Sequence, residues 1–186
     1  VAVADYILGI QPGPAVSNLS SSRALRDICQ RHGQEYYASA VGEVNVVRTM
    51  RQVKAVIGGE GNGGVIVPDL HYGRDALVGI ALFLSHLALR GCSAKSLRDT
   101  YPTYEMAKEK VSFDPNQRPE ALLQRLSDAF SDAGQNWEDG LKIDFENAWL
   151  HVRKSNTEPI LRIYTEASSV EEAQALAEKA RQILLQ

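Results

Sequence analysis

The sequence predicts an alternating α/β unit followed by a two-layer α+β unit, and three observations carry that prediction. Between residues 15 and 67, short β-branched runs alternate with amphipathic segments closed by glycine, as strands joined by crossover helices should. From Tyr104 onward the pattern changes to strands that alternate apolar and polar residues. The chain then closes with Val170 to Leu185, whose apolar residues recur at helical spacing. Pro102 marks the boundary, so residues 1–101 and 102–186 are expected to form separate domains.

Taken in order, residues 4–9 read as the end of a helix, closed by Gly9 and the Pro12-Gly13-Pro14 turn. Ala15 to Leu19 is apolar enough for a buried strand, and the following Ser20-Ser21-Ser22 offers an N-cap hydroxyl. Arg23 to His32 is a helix that Gly33 ends, with His32 placed to face the C-terminal dipole. Glu35 to Ala40 reads as a strand, Gly42 opens a helix through Val46, Val47 and Met50, and Lys54 to Ile57 is a further strand. Val65 to Pro68 is a strand, Asp75 to Arg90 a strongly apolar helix, and Ser93 to Tyr101 a helical link.

In the second unit, Ala107 to Asp114 is a strand and Arg118 to Ala133 an amphipathic helix ended by Gly134. Leu141 to Phe145 is a strand with one wet face, and Ala148 to Val152 is its hairpin partner. Ile160 to Thr165 is the last strand, and Ser169 with Glu172 forms a capping box for the final helix. The unit reads β-α-β-β-β-α. Trp137 and Trp149 are expected as core or edge aromatics, and His86 as a satisfied packing residue.

The 186 residues, with 44% hydrophobic and 23% charged side chains, have an ordinary globular composition. A formal net charge of −3 argues against a nucleic-acid binder, which would carry a basic surplus. No apolar run reaches the ~20 residues that span a bilayer. Cys29 and Cys92 lack metal-ligand spacing and fit buried thiols in a reducing cytoplasm. The chain opens Val1-Ala2-Val3-Ala4-Asp5 inside a helical pattern and without methionine, so it is expected to be a fragment of something longer.

Two loops carry chemistry. The stretch Arg153-Lys154-Ser155-Asn156-Thr157-Glu158-Pro159-Ile160-Leu161-Arg162 lies between two strands and combines hydroxyl, amide and guanidinium donors. That set suits a phosphate dianion, although alone it also reads as a solvated hairpin. Upstream, Gly58-Gly59-Glu60-Gly61-Asn62-Gly63-Gly64 holds five glycines in seven residues. It fits neither the nucleotide P-loop nor the dinucleotide fingerprint. A glycine-freed backbone that projects Glu60 and Asn62 suits the vicinal hydroxyls of a sugar; the bland alternative is a tight hairpin with a capping Glu. A ligand carrying both groups, such as a hexose phosphate, could use both loops.

Together and in this order, the two motifs resemble those of the α-D-phosphohexomutase family, which includes phosphomannomutase/phosphoglucomutase and phosphoglucosamine mutase. The glycine loop is similar to the family's sugar-binding Gly-Glu-x-Ser-Gly-His, and the second loop to its phosphate-binding Arg-x-Ser-Gly/Asn-Thr-Glu/Thr-Pro. The resemblance covers essentially the whole chain, as the third and fourth of four domains. It implies a three-layer mixed-sheet α/β domain followed by a two-layer, TATA-box-binding-protein-like α+β domain. It also implies an isomerase, an intramolecular phosphotransferase that interconverts hexose 1-phosphate and hexose 6-phosphate through a bisphosphorylated intermediate.

On this resemblance Glu60, Gly61 and Asn62 would hold the sugar, and Arg153, Ser155, Asn156, Thr157 and Arg162 the non-reacting phosphate. The phosphoserine would belong to a first domain and the Mg²⁺ to a second. Neither motif occurs here, so no catalytic or metal-binding residue is assigned and the chain alone should be inactive. Its partners would be the phosphorylated hexose, a hexose 1,6-bisphosphate activator and the N-terminal two domains of the same cytoplasmic polypeptide, with neither nucleic acid nor membrane. Asn62 stands where the family commonly has Ser, Gly64 where it has His, and Ala40 near a usual basic position; His71 and Arg74 are candidates for the missing positive charge. The alternative function is a phosphosugar-binding module without chemistry.

Overall fold

A computed structural model describes residues 1–114, 116–155 and 158–186. The chain divides into two compact units, Val1–Thr103 and Tyr104–Gln186.

The first unit runs α1 (Ala2–Ile10), β1 (Ala15–Asn18), α2 (Ala24–Arg31), β2 (Tyr36–Ser39), α3 (Glu43–Val53), β3 (Ile57–Gly59), β4 (Val65–Ile66), α4 (Ala76–Arg90) and α5 (Ala94–Arg98). Its sheet has the order β2-β1-β3-β4, with β1 parallel to both neighbours and β4 antiparallel to β3. Successive residues of β1 point to opposite faces. Ala15 joins a core with Ile7, Ile28 and Leu97, whereas Val16 joins a second core with Val46 and Met50. The sheet is therefore covered on both sides, giving three layers with α3 on one face.

Several local readings shift. The strand expected at residues 54–57 begins later: Lys54 takes a left-handed φ of 54° as the C-cap of α3, and β3 extends into Gly58 and Gly59. Close packing accounts for those two glycines. A Cβ on Gly58 would sit 2.3 Å from Met50 Sδ, and one on Gly59 2.2 Å from the Gly64 carbonyl oxygen. The serine cap of α2 is also displaced. Arg23 is the N-cap, and Ser22 Oγ accepts from the Ala24 amide.

His32 does more than face a dipole. Its Nε2 lies 2.7 Å from Asp5 Oδ1, while Tyr101 Oη donates to Asp5 Oδ2 at 2.9 Å. Burial pushes the Asp5 carboxyl up, but these hydrogen bonds outweigh burial and leave it below its ordinary range. Burial and the bond to Asp5 together raise the Tyr101 phenol. His86 is buried and its Nδ1 pairs with the Ala2 carbonyl, which ties α4 to α1. Cys29 is buried, Cys92 only partly. The outward stripe of α4 stays wet, with Leu77, Ile80 and Leu84 at 79%, 55% and 56% exposure.

The second unit runs β5 (Glu105–Ser112), α6 (Pro119–Ala129), β6 (Gly134–Asn136), β7 (Leu141–Asp144), β8 (Trp149–Lys154), β9 (Ile160–Ala167) and α7 (Val170–Leu185). It contains one strand more than the expected β-α-β-β-β-α. α6 stops at Ala129, and Gly134 opens β6 instead of closing the helix. The antiparallel order is β5-β9-β8-β7-β6, so α6 carries the chain from one edge to the other and a meander returns it. Leu141, Ile143, Leu150, Val152, Leu161 and Ile163 form one face and pack with Leu126, Ala177, Ala180 and Leu184 of α6 and α7. Ser169 Oγ caps α7 by accepting from the Glu172 amide, and the Glu172 carboxylate accepts from the neighbouring Ser168 hydroxyl.

Register places Trp149, His151 and Arg153 on the opposite face, beside Glu166, Tyr164 and Arg162 of β9. Lys142, expected on a wet face, is 7% exposed, with Nζ 4.8 Å from the Trp149 ring centroid. Trp149 is fully buried and its indole donates to Glu166 Oε1 at 2.8 Å, while Trp137 is 46% exposed.

Candidate functional site

In a sheet of this topology the chain leaves β1 toward one side and returns to β3 on the other. Side chains beyond the carboxyl ends of those two strands converge there, in the crevice where such sheets bind ligands. Asn18 ends β1, and Glu60 follows β3 one residue beyond the Ser17–Gly59 pair. Asn18 Nδ2 donates to Glu60 Oε1 at 2.9 Å, and the Gly42 amide at the start of α3 donates to the same oxygen at 3.3 Å. Asn18 Oδ1 in turn accepts from the Ser20 amide and the Ser21 hydroxyl.

The glycine loop is a hairpin between β3 and β4, closed by Glu60 N–H to Gly64 O at 3.1 Å and Gly63 N–H to Glu60 O at 3.1 Å. Glu60 does not project freely: its side chain is 6% exposed and lies within the unit's own network. A carboxylate so buried requires donors, and it has them on Oε1. Oε2 keeps acceptor capacity, with Arg74 Nη1 at 3.5 Å. Asn62 Oδ1 accepts from the Gly64 amide, which shapes the loop. Gly61 lies over the Ser20–Ser21 turn, with an added Cβ only 3.3 Å from Ser21 Cα.

Of the two candidates for extra positive charge, one reaches the loop. Arg74 Nε donates to Glu43 Oε2 at 2.8 Å, which holds the guanidinium beside Glu60. Gly64 makes room for it, since a Cβ there would meet Arg74 Cδ at 2.5 Å. His71 is turned elsewhere. Its Nδ1 accepts from the Gly73 amide, so the proton of the neutral ring sits on Nε2, which faces Asp75 Oδ2 at 3.1 Å. Asp75 is the N-cap of α4, and its bond from the Val78 amide, then His71, lowers its carboxyl.

In the second unit Arg153 and Lys154 belong to β8 and Arg162 to β9, and not to the connection between them. Asn156 and Thr157 lie outside the described residues. Ser155 is buried and its amide donates to the Ile160 carbonyl at 2.9 Å; Lys154 is exposed. Arg153 and Arg162 are direct cross-strand partners, and Lys110 of β5 is the partner of Arg162 on its other side. Three cations thus stand abreast on one face. Like charges opposite each other destabilise a sheet unless compensated.

Compensation comes from the connection between β6 and β7. Asp139 Oδ2 lies 3.2 Å from Arg153 Nε, and the Asp139 carbonyl accepts from His151 Nε2 at 2.7 Å. Burial is the main reason that the His151 pKa falls to about 4. No signal in composition or spacing pointed to Asp139 or Lys110, because strand register creates their nearness to the arginines. Asn18 was legible in principle, as a polar residue near the end of the strand expected at Ala15 to Leu19. Cavities of about 390 and 370 Å³ line Phe130 and Phe145, at the opposite end of the strands from Ser155. Among the described residues no group of three metal-ligating side chains occurs, and no helix is long and apolar enough to cross a membrane.

Comparison with known proteins agrees with this architecture. Residues 1–104 match the family described as phosphoglucomutase/phosphomannomutase, alpha/beta/alpha domain III. Residues 114–183 match the phosphoglucomutase/phosphomannomutase C-terminal domain. A phosphoglucomutase/phosphomannomutase of Thermococcus kodakarensis is 34% identical over 98% of this chain, which spans 40% of that protein's length. A phosphoglucosamine/phosphogalactosamine mutase of Sulfurisphaera tokodaii is 31% identical over 91% of the chain and 38% of its own length. Among solved structures, a family protein of Burkholderia thailandensis superposes with TM-score 0.78 at 22% identity, over 97% of this chain and 39% of its own. Aspergillus fumigatus N-acetylphosphoglucosamine mutase, in complex with GlcNAc-6P and magnesium, superposes with TM-score 0.69 at 16% identity, over 98% and 42%.

The depressed His151 pKa fixes a pH dependence. The folded protein keeps this ring neutral down to about pH 4, whereas the unfolded chain binds a proton near 6.5. Its contribution to stability is therefore present above pH 6.5 and is lost as pH falls from there toward 4. Between pH 7 and pH 5 the folded state should lose about 2 kcal/mol through this residue alone. Urea unfolding of wild type and His151→Gln checks it, since the variant should lose less by that amount over the same interval.

Proposed function

Because the chain belongs to the phosphoglucomutase/phosphomannomutase family, we propose that it is the substrate-holding portion of an enzyme that interconverts hexose 1-phosphate and hexose 6-phosphate. The chain matches domain III and the C-terminal domain of that family and spans about 40% of its curated relatives. The observation that carries the proposal is the row of Arg153, Arg162 and Lys110 beside the buried Ser155. Guanidinium pairs match phosphate oxygens in geometry and charge, and a dianion would relieve their mutual repulsion. Glu60, Gly61 and Asn62 are assigned to the sugar, with Glu60 Oε2 accepting from a hydroxyl. Arg153, Ser155, Asn156, Thr157 and Arg162 are assigned to the non-reacting phosphate. Holding that phosphate supplies binding energy and position to a transfer carried out elsewhere.

The reacting groups belong, in this proposal, to preceding domains of the same polypeptide: a phosphoserine in the first and Mg²⁺ in the second, with a hexose 1,6-bisphosphate as activator. The exposed apolar stripe of α4 supports such a partner, because a contiguous apolar patch commonly marks a covered surface. Two unpaired cysteines fit a cytoplasmic setting.

The 186-residue chain should therefore show no turnover of glucose 1-phosphate, mannose 1-phosphate or glucosamine 1-phosphate in a coupled assay with Mg²⁺, whereas the longer polypeptide should turn over at least one. Turnover by the chain alone would contradict the division of labour. In the longer polypeptide, Arg74→Ala should raise KM roughly five- to tenfold, the scale of one lost charged contact. His71→Ala should leave KM within about twofold, since its ring faces Asp75, the N-cap of α4, and not the loop. Equal effects in steady-state kinetics would show that the ion pair with Glu43 does not select Arg74.

A further inference from the structure

The connection between β6 and β7 is organised around Arg153, though it contributes none of the residues assigned to phosphate. Asn136 Oδ1 accepts from the Glu138 amide at 2.8 Å, turning the chain so that Asp139 comes back over β8. The Asp139 carbonyl is fixed by His151, two residues before Arg153 on the same face. Gly140 then presses on the strand itself. Its φ is +77°, and an added Cβ would lie 2.3 Å from the Val152 carbonyl oxygen and 2.8 Å from Arg153 Cα. Only glycine combines that dihedral with that approach. Backbone, imidazole and glycine together deliver one carboxylate to one guanidinium.

The contact that results is of a particular kind. Asp139 Oδ2 is 3.2 Å from Arg153 Nε, near enough for an ion pair. Yet the Nε–H is not directed at that oxygen and makes no hydrogen bond among the described residues. The carboxylate therefore supplies opposite charge to the inner edge of the guanidinium, at an Nε that is itself shielded from solvent. Arg153 and Asp139 side chains are 18% and 23% exposed, so the attraction is screened less than at an open surface. Without Asp139, the guanidinium would face Arg162 uncompensated and would turn toward solvent.

We propose that Asp139 is a positioning residue for phosphate capture: it holds the Arg153 guanidinium on the cation row from its buried Nε edge, with the outer N–H groups turned to the incoming phosphate. This rests on the reading that Arg153 binds the phosphate. A carboxylate beside an anion site would otherwise weaken binding, so its net effect reports on whether orientation outweighs repulsion.

The test uses the full-length enzyme, the hexose 1-phosphate it turns over fastest, and inorganic phosphate as a competitive inhibitor. Asp139→Asn should raise both KM and the phosphate inhibition constant roughly tenfold while kcat stays within about threefold. Asp139→Glu should recover part of that loss. In an Arg153→Ala background Asp139→Asn should add nothing, because its action passes through the missing guanidinium. Unchanged or lowered KM in Asp139→Asn, or a full extra factor in the Arg153→Ala background, would overturn the proposal. Should Asp139→Asn fail to fold, Asp139→Glu with Arg153→Lys replaces it in the cycle, and the same non-additivity decides. If Arg153→Ala itself leaves KM unchanged, the phosphate reading fails first, and with it this inference.

Discussion

The row of cations on the second sheet is the constraint from which most of that unit's unusual features follow. An antiparallel register that pairs Val152 with Ile163 in the core necessarily pairs Arg153 with Arg162 on the reverse face. The same register sets Lys110 beside Arg162. Such a row costs stability, and the chain offsets it locally with Asp139, brought in by a glycine turn that only close backbone contact explains. The hydrophobic pattern thus fixes the positions of the charges, and the charges explain the connection that crosses them.

The first unit solves the opposite problem. There a carboxylate, Glu60, is buried beyond the end of β3 and draws donors from the ends of neighbouring elements: Asn18 at the end of β1, Gly42 before α3, and Arg74 before α4. The crossover topology brings these segments together, since β1 and β3 are adjacent in space while α2, β2 and α3 lie between them in the chain. One unit holds an anion in a cradle of donors and the other a row of cations. The proposed hexose phosphate carries groups complementary to each. Family membership and this chemistry support the same division of labour.

Much of the fold was legible because hydrophobic period and glycine or proline punctuation agree along most of the chain. The final helix, with Ser169 as its cap, lies where the pattern predicts it. Errors fell where local signals compete. Lys54 belongs to a helix cap despite the β-branched residues after it, and Gly134 starts an edge strand where a C-cap glycine was expected. The glycine loop reads either as ligand-driven or as a tight hairpin with a capping Glu; it is a hairpin, and Gly58 and Gly59 serve packing against Met50 and the Gly64 carbonyl. The motif residues could be singled out from the sequence. Their supports Glu43, Asp139 and Lys110 could not, because strand register and loop closure bring them near only after folding.

In the proposed assignment, one loop reads phosphate and the other reads the sugar. Calorimetric titration of the full-length enzyme with inorganic phosphate and with a hexose 1-phosphate tests it most directly, comparing Arg153→Ala with Glu60→Gln. Arg153→Ala should weaken both ligands by a similar factor, roughly tenfold or more for a lost charge-assisted contact. Glu60→Gln should weaken only the hexose phosphate. Equal losses on both ligands for Glu60→Gln, or undiminished phosphate binding in Arg153→Ala, would contradict the account.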